Sequence, residues 1–407
     1  MQYRKFGSTG VDVSILGYGC MRFPHKNRKI DMEKTESQIM TAINNGVNYF
    51  DTAYIYIGSE AALGKILEKN NVREKVLIAT KVPPYMVNSR KDMEKILNAQ
   101  LERLKTEYID FYMVHSIQDT KSWEKAKSDG ILKFLEEKKQ EGVIRYIGFS
   151  YHGDKYDFKT IIDDYNWDFC QIQYNYIDEN NQAGLEGLKY AHSKGIGVSV
   201  MGSLKGGSIV GKMPESIKKI WDKAEIKRSY VDWALRWIWN HSQVSVALSG
   251  LNDEDHIKEN IRVANEAFPN SLTQDELKIY KEVKEEYLRL MKVPCTGCGY
   301  CIPCPVGVNI PFCFNYYNTL HLFKKKRAIL SYLFFGGDAL GGRNFLASNC
   351  IGCGRCEKVC PQNIKIIKEL KDSVKVMEPW WSKPLLFIAG RFLKLRGAVA
   401  RKKKLGK

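Results

Sequence analysis

No uninterrupted apolar run in the sequence approaches the roughly 18 residues that a membrane-spanning helix needs. The first residues, MQYRKFGSTG, are polar and lack the apolar stretch of a secretory signal. No G-x-G-x-x-G turn follows the first apolar segment, so a dinucleotide-binding open sheet does not announce itself. No nucleic-acid-binding motif accompanies the basic residues. Acidic residues are missing from 380–407, which carry nine Lys/Arg, about half of the net charge of +17. Of the 11 cysteines, Cys20, Cys170 and Cys313 stand apart, and small buried thiols are the expectation for them.

The other eight cysteines form two tight runs. The first is Cys295, Cys298, Cys301 and Cys304, followed by Pro305; the second is Cys350, Cys353, Cys356 and Cys360, followed by Pro361. Cysteines at two-residue gaps, with a last one before proline, form the bacterial ferredoxin ligand pattern, in which the fourth cysteine ligates the other cluster. Two [4Fe–4S] clusters are expected. One would be held by Cys295, Cys298, Cys301 and Cys360, the other by Cys350, Cys353, Cys356 and Cys304. Zinc prefers two cysteine pairs a dozen or more residues apart, and a disulfide framework needs an oxidising compartment. The first run ends C-x2-C-P, one residue short of the usual gap. Oxygen-sensitive clusters and free thiols point to a reducing cytoplasm.

A chain of 407 residues has room for two to three domains. Up to about residue 268, short apolar strands alternate with amphipathic stretches. The strands expected are 14–17, 48–51, 76–81, 110–115, 144–150, 169–173, 197–200 and 244–249; helices are expected over 91–104, 131–141 and 182–194. Eight such units favour a closed parallel (β/α)8 barrel over 1–292, with a doubly wound open sheet as the alternative. A further helix over 273–290 leads into a loop-rich, ferredoxin-like cluster domain over 293–377, whose cysteine runs are joined by an aromatic-rich connector (312–345). Residues 378–407 form a basic amphipathic tail, read equally as an interfacial helix or as a segment wrapping the barrel.

Barrel enzymes carry their working residues at the C-terminal ends of the strands. There stand Asp51 (NYFDTAYIY), Tyr56 in the loop beyond it, Lys81 (VLIATK) and His115 (DFYMVH). A lysine after the run VLIA is costly to bury unpaired, and Asp51 is the natural counter-charge. A phenol titrates near ~10, and a neighbouring ammonium is expected to lower that value. Tyr56 could then pass a proton to a carbonyl oxygen while His115 orients that oxygen. Trp123, in the loop after His115, is a candidate for the pocket wall.

With these residues in hand, the sequence resembles the aldo-keto reductase superfamily, in FDTAYIYIGSEAALG, VLIATK, IDFYMVH, GVIRYIGFS, CQIQYN and SGLNDEDHIKENI. PCTGCGYCIPCP and CIGCGRCEKVCP fit the subgroup with an appended ferredoxin-like domain. The resemblance implies that Asp51, Tyr56, Lys81 and His115 are the catalytic tetrad. It also implies NADP or NAD across the barrel mouth, against Cys20, Met21 and Asp51, with Ser150 and Gln171 at the carboxamide and Met201 over the nicotinamide. Ser203, Leu204 and Lys205, with Gly250, Asn252, His256, Glu259 and Asn260, would cradle pyrophosphate and adenosine. Tyr151 stands where many members have Asn. Gly250 and His256, with Asp253 and Asp255 nearby, stand where members that prefer the 2′-phosphate often carry Lys and Arg.

The first expectation is a nicotinamide-dependent oxidoreductase of small aldehydes or ketones. The second is an electron-transfer or redox-sensing module whose barrel binds nicotinamide or flavin as a regulatory or relay cofactor. Hydride carries two electrons and each cluster passes one, so the clusters are structural, serve a separate partner, or meet a two-to-one converter such as FMN. The tail and the run Lys324, Lys325, Lys326 and Arg327 suggest an acidic electron-transfer protein, or peripheral contact with an anionic membrane on its inner face.

Overall fold

The computed structural model describes residues 1–211, 213–337 and 342–381. Eight parallel strands close into a barrel: β1 (Leu16–Gly19), β2 (Tyr49–Asp51), β3 (Leu77–Val82), β4 (Ile109–Ile117), β5 (Ile144–Tyr151), β6 (Phe169–Gln173), β7 (Gly197–Met201) and β8 (Val246–Ser249). Each strand pairs with the next, and Ala247–Ser249 of β8 return to Leu16–Tyr18 of β1. That closure excludes the open doubly wound sheet. Strands covered on both faces read as continuous apolar runs, and all nine residues of β4 are buried.

The helices that follow the strands are α1 (Met32–Asn44), α2 (Ser59–Lys69), α3 (Arg90–Leu104), α4 (Thr120–Ser128), α5 (Ile131–Gln140), α6 (Lys155–Asp163), α7 (Gly184–Ser193), α8 (Glu215–Trp221), α9 (Tyr230–Trp239), α10 (Glu254–Glu266) and α11 (Gln274–Leu290). Asp31, Ser89, Asp119, Asp154, Ser229, Asp253 and Thr273 cap seven of them through side-chain oxygens. A hairpin of Tyr3–Lys5 and Asp12–Ser14 covers the bottom of the barrel. The hairpin inserts Phe6 edge-on to Phe111, with ring centroids 4.9 Å apart. With the bottom plugged, the C-terminal end is the open end.

Two boundaries differ from the sequence reading for identifiable reasons. Ser14 belongs to the hairpin, where it exchanges hydrogen bonds with Asn48, so β1 starts two residues later. Strand β4 runs past His115 through an irregularity between Val114 and Ile117, with Ser116 at φ +60°. Such bulges re-aim side chains beside active sites.

A second core gathers Val293, Ile310, Phe314, Tyr332, Phe345, Ile366 and Met377, with cysteines of both runs packed against it. The aromatic connector is helical here, forming α12 (Ile310–Phe323) and α13 (Arg327–Gly336), with the short α14 (Arg355–Lys358) and α15 (Ile366–Met377) beyond. Apolar residues surround α12 and α13 too evenly for a 3.6-residue period to stand out in the sequence. Lys324, at φ +50°, ends α12 and turns the chain into α13. The tail expected over 378–407 lies, beyond residue 381, outside the described residues.

One close approach gives a direct check on the barrel wall. A Cβ at Gly64 of α2 would stand 2.2 Å from the Arg103 carbonyl oxygen, which is backbone and cannot swing away. Gly64→Ala should therefore destabilise the protein by about 1–3 kcal/mol in denaturant unfolding. An unchanged midpoint would mean that α2 and α3 are not packed this closely.

Candidate active site and cluster sites

Strands β2, β3 and β4 bring Asp51, Lys81 and His115 to the open end of the barrel, as successive neighbours in the sheet. Lys81 is fully buried and Asp51 is 4 % exposed. The ammonium lies 2.8 and 2.7 Å from the two Asp51 oxygens and 2.7 Å from the Thr52 carbonyl. An ammonium has three donors, and these three acceptors match them. Gln171 adds a hydrogen bond from Nε2 to Asp51 Oδ2 at 2.8 Å, which fixes the carboxylate from β6.

Tyr56 enters from the loop after β2. Its ring centroid is 5.5 Å from Lys81 Nζ, and its ring stands edge-on to His115 at 6.2 Å. Burial, and then the Asp51 charge, push the phenol above its ordinary value of 10.0, with smaller contributions from Tyr85 and Cys20; only the Arg22 guanidinium opposes them. This reverses the expected acidification by Lys81, and the reason is geometric. The Lys81 charge is neutralised by the carboxylate it touches, and its donors are taken. Tyr56 is therefore protonated across the neutral range.

His115 is held well below its ordinary 6.5 by burial, then by Lys81 and by His152. It is a neutral imidazole, and its Nδ1 is buried without a partner in the described structure. His152, just beyond β5, is pushed down to about 4, chiefly by burial. His152 and Tyr85 both belong to this neighbourhood. The sequence reading passed over them, because an isolated His or Tyr in a loop carries no spacing signal. Trp123 does not reach the mouth: it packs at a tilt against Trp167 in the barrel wall, and its indole N–H donates to Asp164.

Among the residues expected at a dinucleotide, Cys20 is buried beside Asp51 and Lys81, while Met21 is 59 % exposed at the rim. Ser150 Oγ accepts the Ser116 N–H, and Met201 ends β7 half-buried. Ser203 Oγ and Asn260 Oδ1 are buried polar atoms without partners, the state expected of groups that await a polar ligand. Asn260 Nδ2 donates to Ser249. Leu204 is half-buried, and Gly250, Asn252 and His256 line an exposed rim, with Glu259 partly buried on α10. Lys205 departs from the expectation. Its ammonium pairs with buried Asp178 at 2.5 Å, and Asp178 also accepts from Asn315 of α12, so the lysine is drawn toward the second domain. Ser203 and Asn260 thus offer unpartnered polar atoms that fit a dinucleotide, while the Lys205 ammonium is already paired.

Tyr56 also lines a cavity of about 560 Å3 with Tyr54, Ile57, Tyr85, Met86 and Phe334. Phe334 comes from α13. The cluster domain meets the mouth elsewhere too: Gln118 Nε2 donates to the Phe335 carbonyl, the Phe335 ring lies 4.6 Å from His152, and the Arg343 N–H donates to Asp119.

In the cluster domain, Cys295, Cys298, Cys301 and Cys360 line one cavity. A second, of about 170 Å3, is lined by Cys304, Cys350, Cys353 and Cys356, with Cys301 in the shared wall. Among the described residues no three His, Cys, Asp or Glu side chains converge on a single-ion site. Four thiols spread around each cavity instead suit a cube of iron and sulfide, and the donor chemistry fits [4Fe–4S]. Gly297 and Gly352, inside the runs, have φ of +71° and +72°, which glycine adopts without strain. The first cavity is the one nearer the barrel, since Gly297 and Gly299 also line a cleft with His152 and Gln182, and Asn180 donates to the Thr296 carbonyl. In the second set Cys353 is exposed.

Removing the Asp51 carboxylate leaves a buried ammonium without its counter-charge. Asp51→Ala should cost about 3–5 kcal/mol in urea unfolding; a loss below about 1 kcal/mol would show that water reaches Lys81. Protein purified without oxygen should hold about eight irons per chain and lose about half of them in Cys360→Ala. Stoichiometric zinc without visible absorbance would contradict the cluster assignment.

Comparison with known proteins agrees with this architecture. Residues 15–285 match the model of the aldo/keto reductase family, and residues 294–365 match that of the 4Fe-4S dicluster domain. The chain is 27 % identical over 312 residues to the uncharacterized oxidoreductase YqkF of Bacillus subtilis, covering 68 % of this chain and 95 % of that one. It is 26 % identical to L-galactose dehydrogenase of Arabidopsis thaliana, over 70 % and 95 % of the two chains. It is also 26 % identical to NADH-specific methylglyoxal reductase of Escherichia coli, over 64 % and 92 %. Among solved structures, the holo form of aldo-keto reductase AKR11C1 from Bacillus halodurans is similar, with a TM-score of 0.58, 27 % identity, and coverage of 70 % of this chain and 96 % of that one. The chain belongs to the aldo/keto reductase family of oxidoreductases and carries a C-terminal 4Fe-4S dicluster domain.

Proposed function

We propose that the protein reduces aldehydes or ketones to alcohols, and runs the reverse oxidation, with a nicotinamide dinucleotide as partner and Tyr56 as proton donor. The supporting observation is the convergence of Tyr56 and neutral His115 on a Lys81 locked by Asp51, with Tyr56 also lining a cavity. When bound, the nicotinamide supplies or accepts the hydride. The chain's part is to hold the carbonyl and move the proton. The His115 imidazole orients the carbonyl oxygen. The Tyr56 O–H gives that oxygen its proton as the carbonyl double bond breaks, and the phenolate left behind is reprotonated from solvent.

NADH suits the groove better than NADPH. Asp253 caps α10 with its own carboxylate, and Glu254 and Asp255 follow in the first turn. A 2′-phosphate near that terminus meets repulsion. The name of the methylglyoxal reductase relative, NADH-specific, points the same way.

A second reading concerns the clusters, which pass single electrons when present. The exposure of Cys353 and the barrel-facing position of Gly297 favour a relay between an acidic partner protein and the interior of the chain. The run Lys324–Arg327 would supply the complementary charge.

Tyr56→Phe should lower kcat for carbonyl reduction by about 10²–10⁴-fold, while NADH binding stays intact. With the phenol raised above 10.0 and both histidines depressed below 6.5, the wild-type rate should stay level between those values. It should fall only at higher pH, as the donor proton is lost. Equal rates in the variant, or a break near 6.5, would remove Tyr56 or the neutral His115 from these roles.

A further inference from the structure

Helix α13 lies across the barrel mouth. Just before it, Lys325 Nζ donates to the Gly206 carbonyl in the loop after β7, at 2.9 Å. Near its end, Phe334 enters the Tyr56 cavity while Phe335 seats on His152 and Gln118. This helix of the cluster domain and the turn before it therefore touch the loops after β2, β3, β4, β5 and β7.

At the Lys325 end the charges are unbalanced. Over Gly206, the place a Cβ would occupy is 3.3 Å from Arg22 Nη2 and 3.8 Å from Lys325 Nζ, and the Arg22 side chain also approaches Gly250. Lys205 is close enough to depress Lys325 electrostatically, as does Arg22, while burial contributes most. Among the described residues, the carboxylate of Asp178 on Lys205 is the one paired acid here. Three cations converging with one carboxylate repel each other until an anion joins them. The loops after β7 and β8 meet at this point, and the unpartnered Ser203 Oγ lies on the same floor.

At the Phe334 end the cavity is bounded by rings and alkyl groups. Its charged neighbours Arg103 and Glu60 neutralise each other at 3.0 Å. Such a wall accepts an uncharged, apolar substituent and offers no free partner to a carboxylate or phosphate.

We propose that the cluster domain completes the reductase site through α13: Lys325, with Arg22, binds the phosphates of the dinucleotide, and Phe334 is the wall on which the apolar substituent of the carbonyl substrate packs. This rests on the proposed function, for the dinucleotide and for the carbonyl substrate alike. Both side chains are binding residues, and neither takes part in the bond changes. A substrate with an aromatic or branched substituent follows from the ring-lined cavity.

The test uses the cluster-loaded full chain and reads equilibrium binding, so that it does not depend on turnover. Lys325→Ala and Arg22→Ala should each weaken NADH, and equally ADP-ribose, by roughly five- to tenfold, with the loss shrinking as salt rises. Lys325→Arg should restore binding. Phe334→Ala should leave NADH affinity unchanged and weaken benzamide, an inert stand-in for an aromatic ketone, by about tenfold in the NADH complex, with Phe334→Leu in between. Visible cluster absorbance equal to wild type certifies that each variant is folded. Unchanged ADP-ribose affinity in Lys325→Ala overturns the phosphate assignment, and unchanged benzamide affinity in Phe334→Ala overturns the wall. Failure of the proposed reaction is read separately, as NADH binding without turnover in the wild type.

Discussion

The ion pair between Lys81 and Asp51 organises the site. A lysine with no exposed surface persists at a strand end only because three oxygens accept its three donors, and two of those belong to one carboxylate. The pair spans adjacent strands, and Gln171 ties it to a third. It fixes the mouth of the barrel in one arrangement and sets the charge environment of Tyr56, Cys20 and His115. Tyr56 and the two histidines respond by staying neutral. A site of neutral donors around one closed ion pair is suited to giving a proton to a carbonyl oxygen.

The appended domain has two faces. One cysteine set lies toward the barrel, behind a cleft that His152 shares, and the other reaches the surface at Cys353. At the barrel mouth, α13 makes apolar contacts through Phe334 and the turn before it a cationic one through Lys325.

Much of this was legible in the sequence. The barrel followed from eight apolar strands at regular intervals, the cluster cysteines from their spacing, and Asp51, Lys81 and His115 from their places at strand ends. The unread parts have physical causes. The acidity of Tyr56 was misjudged because a neighbouring ammonium was counted while its neutralisation by Asp51, and the burial of the phenol, were not. Trp123 was a lesser candidate for the pocket by its position after His115, but its indole is turned into the wall by Asp164 and Trp167. Lys205 followed the family groove until Asp178 and Asn315 drew it aside. Phe334, Lys325 and Arg22 were invisible as a group because they come together only when two domains fold against each other. The helical connector was hidden by its uniform apolarity.

In the reaction we propose, hydrogen reaches the carbonyl directly at the barrel mouth, with the electrons of the clusters playing no part in that bond. The most direct measurement supplies reduced nicotinamide cofactor deuterated at its transferable position and locates the label after turnover in ordinary water. The account predicts deuterium on the carbinol carbon of the alcohol, on one face only, and protium on its oxygen. Label lost to solvent, with protium on that carbon, would show that electrons and protons travel separately and would contradict it.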